Sequence, residues 1–381
     1  MKQAVNIARI LVGSLFIFSG LVKAIDPLGL AYKMQEFFEV WASDGYFKGL
    51  MVWLDGHALL FSLIMITLEV VLGVALLTGW RIKLVSWLLL LLMVFFTFLT
   101  SYVLFSDKIK ACGCFGDCIP LTPKQTFTKD ILLLLLVLLI LLKRKYISPL
   151  FSNTVCLITV MVSLMGVAFL QWYVLRHLPV KDCLPYRVGN DLLKLREMPA
   201  DAIPDKYDYV FVYQKNGEKK EFNAGNLPDS SWQYADRKQT LIARGKNNVP
   251  LINDFSFTTA SGKDTTQAIL GQQGAYYLLF IKDLEDYPET GGKEIKLVEN
   301  LLSAKKSVYI VTGQPLKAKE KFAGKITIAG LPYDPVIFGC DVTAIKTAAR
   351  ANPAIFLMNG SVVAGKWGWV DFGSVFNNEL K

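Results

Sequence analysis

Charge is scarce in this 381-residue chain, where only 19% of residues are Asp, Glu, Lys or Arg, against about 25% in an ordinary soluble protein. So little charge excludes a disordered chain. The net charge is +9, yet no Lys/Arg cluster is interleaved with aromatics as a nucleic-acid groove requires, so nucleic acid is not an expected partner. The paired inverted repeats and broken helices of secondary transporters are also missing. Histidine is nearly absent, with two residues in the whole chain. What abounds is apolar character: 53% of residues are hydrophobic. That excess lies almost wholly before residue 178, and the remainder reads as soluble. The length leaves room for two domains of roughly 100–200 residues each.

Five apolar stretches approach the roughly 17–25 helical residues needed to cross a bilayer core. They run over residues 5–22, 58–78, 84–105, 127–142 and 154–175. In the fourth, Lys129 has to snorkel and Asp130 to sit at the interface. The first is not a cleaved signal peptide, because Lys23, Asp26 and Pro27 stand where a small-residue cleavage site belongs. Membrane lipid is therefore one partner. Orientation follows from Lys and Arg near the span ends. Lys2 and Arg9, then Arg81 and Lys83, then Lys143, Arg144 and Lys145 fall on one side, which is read as cytoplasmic. Lys108, Lys110, Lys124 and Lys129 weaken the contrast without reversing it. An odd number of spans then puts the C-terminal half outside the cytoplasm, giving a multi-pass protein of the plasma (inner) membrane with its soluble part in the periplasm. Between spans one and two, Phe37, Phe38, Trp41, Tyr46 and Trp53 mix with Glu36, Glu39 and Asp44. That pattern suits an interfacial segment or a lid on the bundle.

Three of the six cysteines stand together in Cys112-Gly113-Cys114-Phe115-Gly116-Asp117-Cys118, on the extracytoplasmic loop after span three. Cys183 follows span five on the same side. Cys156 enters span five from the other end, roughly 40 Å from Cys183 at 1.5 Å per helical residue, and is expected to be a packed apolar residue. A disulfide between cysteines one residue apart closes only with strain, and strain makes the bond a donor of oxidising equivalents. Gly113 and Gly116 supply the backbone freedom for so tight a loop. Cys118 or Cys183 then serves as resolving thiol. Two other readings stay open: a structural disulfide that fixes the loop, and a metal site built from Cys112, Cys114, Cys118 and Asp117. The latter spacing is poor for zinc, so no metal is assigned. Counting Cys340, five cysteines lie outside, an odd number, so at least one is free or transiently paired.

The run Cys112-Gly113-Cys114-Phe115-Gly116 after the third span resembles the signature of the MauE-type methylamine-utilisation membrane proteins, within the broader DoxX/DoxD-like group. Arg9 and Gly13, Ser19-Gly20 and Lys23, Asp26-Pro27, and Glu69 with Gly73 and Gly79 are similar to that group's pattern. The resemblance covers residues 1–178. It implies a small helical bundle linked to disulfide maturation of exported proteins or to quinone-coupled thiol oxidation. A quinone is thus the candidate cofactor, although no cofactor site is readable in the residues themselves. Within the spans, Arg9, Lys23 and Glu69 are the polar residues of interest. An ionisable group at a span centre costs at least about 2.5–3.5 kcal/mol, so Glu69 is expected to face a partner inside the bundle, with Arg9 the natural candidate. His57, before span two, is a candidate proton acceptor or an incidental surface residue.

Beyond a linker, residues 207–214 read as a strand before the hairpin turn Asn216-Gly217, with Trp232 a packing anchor. Residues 179–248 are therefore assigned to linker and a small β-rich insert. From 249 to 381, strands at 275–281 and 307–312 flank a helix at 293–304, and Asn352-Pro353 precedes a strand and an Asn359-Gly360 turn. This region resembles the α/β thioredoxin fold of extracytoplasmic thiol-redox proteins, with Pro353 at the family's cis-proline position. The family's Cys-x-x-Cys would follow the strand at 275–281, but residues 282–292 hold no cysteine. Cys340, on another loop, does not replace it. The domain therefore reads as a degenerate, binding-type module without a nucleophile. Residues 341–350 read as a capped helix with a basic face.

The expected architecture is thus an α-helical membrane bundle of about five spans, residues 1–178, followed by an extracytoplasmic α/β thioredoxin-like domain with its β-rich insert. The expected function is membrane thiol–disulfide redox or disulfide maturation of exported proteins, with Cys112, Cys114, Cys118 and Cys183 as redox thiols and the soluble domain binding a client or redox partner. The alternative is a non-enzymatic envelope scaffold with structural disulfides. After reduction, a membrane-impermeant maleimide is expected to label Cys112, Cys114 or Cys118 in intact cells. Labelling only after lysis would place that loop inside and overturn the orientation.

Overall fold

The computed structural model describes residues 1–381 except 107, 110–112, 114, 115, 117, 244, 286–291, 380 and 381. The first half runs α1 (Lys2–Ala24), α2 (Pro27–Ser43), α3 (Lys48–Gly56), α4 (Ala58–Thr78), α5 (Ile82–Ser106), α6 (Pro123–Lys143) and α7 (Asn153–Arg176). Of these, α1, α4, α5, α6 and α7 are long and apolar enough to cross a membrane. The chain is a multi-pass membrane protein.

Small residues set the contact between α1 and α4. A Cβ on Gly73 would lie 2.8 Å from the Gly13 carbonyl oxygen, and one on Gly20 would lie 2.6 Å from Val70. Between lipid-solvated helices such close approach supplies packing that hydrophobicity alone does not. The fourth span begins at Pro123, four residues before the apolar pattern suggests. Thr122 caps it, its hydroxyl accepting from the Gln125 amide at 3.3 Å while the Gln125 side chain accepts from the Thr122 amide at 3.0 Å. This capping box satisfies two otherwise orphaned donors. Asp130, about two turns into this helix, is buried against the bundle.

Helix α2 lies across one end of the bundle. Asp26 caps it, accepting from the Gly29 amide at 3.2 Å, and Pro27 occupies the first turn. Ala31, Met34 and Phe37 are buried, and the Trp41 ring stands 5.9 Å from Phe98 and 5.6 Å from Tyr102 of α5. The aromatic segment between spans one and two is therefore, in this part, a lid.

After α8 (Leu192–Arg196), strands β1 (Lys206–Lys215), β2 (Glu218–Asn223) and β3 (Gln233–Ala243) form an antiparallel sheet in the order β2-β1-β3. Asn216 and Gly217 make its hairpin turn at φ of 53° and 85°. Trp232 packs edge-on against Phe222 at 5.4 Å.

The last part runs α9 (Thr266–Leu270), β4 (Ala275–Ile281), α10 (Lys293–Ser303), β5 (Ser307–Thr312), α11 (Pro315–Phe322), β6 (Thr327–Ile328), β7 (Leu331–Pro332), β8 (Val336–Gly339), α12 (Val342–Ala348), β9 (Ala354–Asn359), β10 (Val362–Gly368) and α13 (Phe372–Glu379). Five strands form one mixed sheet, β10-β9-β4-β5-β8, parallel across β4-β5-β8 and antiparallel across β4-β9-β10. Central β4 is buried from Tyr276 to Ile281, which explains its unbroken apolar run. One face packs Phe255, Phe280 and Phe356, the other Leu279, Leu297 and Phe322. The Asn352–Pro353 bond is cis. Asn352 accepts from the Lys282 amide at 3.0 Å and donates to the Asp283 carbonyl at 2.8 Å, which joins the turn before β9 to the loop after β4.

Replacing Gly73 by Leu is expected to lower bundle stability by about 1–3 kcal/mol through overpacking. The thermal unfolding midpoint of the detergent-solubilised protein measures this, and an unchanged midpoint contradicts the close α1–α4 approach.

Candidate functional site at the junction of bundle and domain

Cys118 and Cys183 form a disulfide with Cα atoms 4.9 Å apart, and it bridges 65 residues of sequence. It fastens the loop before α6 to the segment after α7. Both residues are half-buried. Gly113 and Gly116 have φ of 72° and 59°, and the Gly116 amide donates to the Gly113 carbonyl at 2.9 Å, so the loop turns where only glycine is unstrained. A small cavity beside the sulfurs is also lined by Lys23, Asp26 and Leu184. Cys112 and Cys114 lie outside the described residues, as does Asp117 of the alternative metal set.

Directly above this disulfide the domain docks on α2. Arg350 Nε donates to Asp26 Oδ2 at 2.8 Å, and Arg350 Nη1 donates to the Lys346 carbonyl at 2.9 Å. Arg350 was expected on a helix with a basic face. It instead falls past the end of α12 and is buried against the bundle. Tyr32, on the outward face of α2, meets three cations, with the Arg350, Lys346 and Lys282 charges 5.3, 5.4 and 5.9 Å from its ring centre. The Lys282 ammonium donates to the Tyr32 hydroxyl at 3.2 Å and to the Arg350 carbonyl at 3.3 Å. Burial, then the Arg350 and Lys346 charges, push the Lys282 amine down to about 7 against the opposing Asp26. Burial pushes the Tyr32 phenol up to about 12, with Arg350 opposing. Two further ties complete the junction. Lys366 Nζ meets Asp182, the residue before Cys183, at 2.6 Å, and burial holds that amine below its usual range. His177 Nδ1, at the end of α7, meets Asp371 at 2.8 Å.

Inside the bundle the pairing differs from the expected one. Glu69 is paired with Lys23, not Arg9, and Lys23 also donates to Ser19 at 3.1 Å and stands 4.8 Å from the Phe96 ring centre. The reason is side-chain direction. A helical side chain leans toward the N-terminus, so Lys23, near the end of α1, reaches down into the bundle toward Glu69. Arg9 lies about four turns away, where Nε donates to the Leu76 carbonyl at 2.9 Å and the guanidinium also reaches Leu77 and Ser148. It satisfies the carbonyls that end α4.

Other singled-out residues stand apart from the junction. Cys156 is fully buried, its sulfur 3.8 Å from the Thr78 carbonyl. Cys340 is a buried free thiol, and burial pushes it up to about 12, which denies it thiolate character. His57 is exposed, stacks on Trp53 and lies 2.8 Å from the Trp53 carbonyl. Sequence reasoning missed Asp26, Tyr32, Lys282 and Arg350 as a group. The one local signal was Asp26-Pro27 as a helix start, and nothing local linked it to residue 350.

Comparison with known proteins agrees with the membrane part. Residues 1–143 match the family of methylamine utilisation protein MauE. Residues 207–244, the β1–β3 sheet, match a domain of unknown function, DUF8463. Protein TlpB of Flavobacterium psychrophilum is 33% identical over 129 residues, which make up 33% of this chain and 33% of that protein. The chain thus matches about a third of the length of this curated relative. No solved structure matches the chain. The MauE match takes in α1 to α6 and the Cys118 loop but stops short of Cys183.

Lys282 sets a pH dependence for the junction. Its amine titrates at about 7 when folded and near 10.5 when free. Between those values the unfolded chain holds more protons, so stability rises with pH through this window. Lys366 acts in the same direction, and Tyr32 opposes only at pH above its ordinary value of 10.0. Thermal stability is expected to increase from pH 7 to about 9.5, with part of the increase lost in Lys282→Met. Equal slopes in the two proteins contradict the buried ammonium.

Proposed function

We propose that this chain is a membrane thiol–disulfide exchange protein of the cell envelope, with Cys118 and Cys183 as one exchanging pair and Cys112 and Cys114 as its neighbour. The observation that carries this reading is the half-buried Cys118–Cys183 bond at the junction of bundle and domain. A client thiolate attacks one sulfur, a mixed disulfide forms, and the other sulfur leaves as a thiolate that takes up a proton. The second client thiol then displaces the enzyme sulfur. The client departs oxidised, and Cys118 and Cys183 keep the two electrons as thiols. Exchange with a second disulfide, at Cys112–Cys114 or on a redox partner, restores them.

The loop after β4 carries no cysteine, so the α/β domain holds the client rather than exchanging with it. The sheet order β10-β9-β4-β5-β8 supports the thioredoxin-like reading of residues 249–381. The Lys and Arg pattern supports a cytoplasmic N-terminus and an extracytoplasmic domain. An apolar groove of about 640 Å³ between α4 and α5 has room for an isoprenoid tail. Its lining, including Phe61, Leu91, Phe95 and Phe98, offers no hydrogen-bonding side chain to a quinone carbonyl, and no electron transfer is assigned to it. The scaffold alternative draws on the same disulfide, which ties domain to bundle.

Trapping distinguishes the two. Acid quench and alkylation of growing cells are expected to capture a reduced fraction of Cys118 and Cys183. Cys183→Ser is expected to accumulate a reductant-sensitive adduct with a client, and Cys118→Ser/Cys183→Ser to lose that adduct. A pair that stays oxidised under every condition, with variants that change only thermal stability, establishes the scaffold instead.

A further inference from the structure

Between the outward face of α2 and α12 lies an open cleft of about 340 Å³. That volume is within the range of ligand sites, roughly 300–1,000 Å³. Its α12 wall carries Thr343 and Lys346, one turn apart on one helix face. At its base three cations, Lys282, Lys346 and Arg350, crowd the Tyr32 ring. Asp26 opposes them and is engaged by Arg350. Lys282 is engaged by oxygens of Tyr32 and Arg350. Across the cleft, Lys33 is paired with Glu36 at 2.8 Å, and Glu39 lines the same α2 wall, away from α12 by a further helical turn. Lys346 is different: among the described residues its ammonium meets no carboxylate and no carbonyl, only the ring.

We propose that this cleft binds a carboxylate on an extended client polypeptide, held by Lys346 and Thr343, and that it selects clients with an acidic residue near the reacting cysteine. The inference rests on the thiol-exchange reading, and position supports it. Gly29 and Leu184 line both the cleft and the cavity beside the disulfide, and Leu184 directly follows Cys183. A chain lying in the cleft therefore leads to the sulfurs. A lipid headgroup is disfavoured by the same geometry. Ala31, Met34 and Phe37 bury the other face of α2 on the bundle, so α2 stands between the cleft and the apolar spans.

The test uses the full chain in detergent micelles and fluorescent, unstructured peptides in which Ser replaces Cys, so binding is read without exchange. A Glu-flanked peptide is expected to bind about tenfold tighter than its Gln-flanked counterpart, as one charge-assisted hydrogen bond provides. Lys346→Gln is expected to abolish the difference and Lys346→Arg to keep it, with Tm showing that both variants fold. Equal binding of the two peptides, a preference that survives Lys346→Gln, or capture of phosphatidylglycerol in place of the peptide overturns the proposal. Cysteine-bearing peptides are then assayed for exchange. Selective binding without exchange sinks the redox reading and leaves the carboxylate site standing, whereas exchange without selectivity sinks the site alone.

Discussion

The ion pair between Asp26 and Arg350 joins the two ends of this molecule. Asp26 is at once the cap of α2 and the acceptor for a guanidinium 324 residues later. Arg350 is buried and Asp26 partly so, and each keeps a further hydrogen bond, Asp26 from the Gly29 amide and Arg350 to the Lys346 carbonyl. Around that contact Lys346 and Lys282 also stand against the Tyr32 ring, so the α/β domain meets α2 through three cations. The Cys118–Cys183 bond, the Lys366–Asp182 pair and the His177–Asp371 pair all lie around that contact. They are geometrically compatible only when domain and bundle are docked in this way.

Within the bundle the polar residues divide by depth. Arg9 closes the carbonyl end of α4, where a cation complements the helix dipole. Lys23, Ser19 and Glu69 form a buried group nearer the junction, Lys129 pairs with buried Asp130, and all five line one small cavity inside the bundle. Among the described residues, one oxygen each of Glu69 and Asp130 has no hydrogen-bond partner. Since Lys23 lines both this cavity and the one at the disulfide, the buried charge of the bundle and the Cys118–Cys183 bond are adjacent.

Much of the architecture was legible because it is written in local pattern. Spans register as long apolar sums, the buried strand β4 as an unbroken apolar run, and the hairpin as Asn216-Gly217. The start of α6 was legible too, in Thr122-Pro123-Lys124-Gln125, but apolarity drew attention past it to residue 127. The candidate site was legible only in part. The cysteine cluster and Cys183 were visible as chemistry, whereas the pairing of Cys118 with Cys183 depends on how α6 and α7 end in space. Glu69 was visibly in need of a partner, but choosing between Arg9 and Lys23 needs helix register and side-chain direction.

By itself the sequence determined the membrane spans, the strand–helix–strand unit of β4, α10 and β5, the missing Cys-x-x-Cys and the positions of the cysteines, because each is a property of one stretch of chain. Only the tertiary structure decided that Asp26, Tyr32, Lys282, Lys346 and Arg350 share one junction, that Lys23 answers Glu69, and that a cleft opens toward Cys183. Those facts depend on the docking of surfaces up to 324 residues apart. No local periodicity encodes that, because the energy of a buried charge depends on what the rest of the fold brings to it.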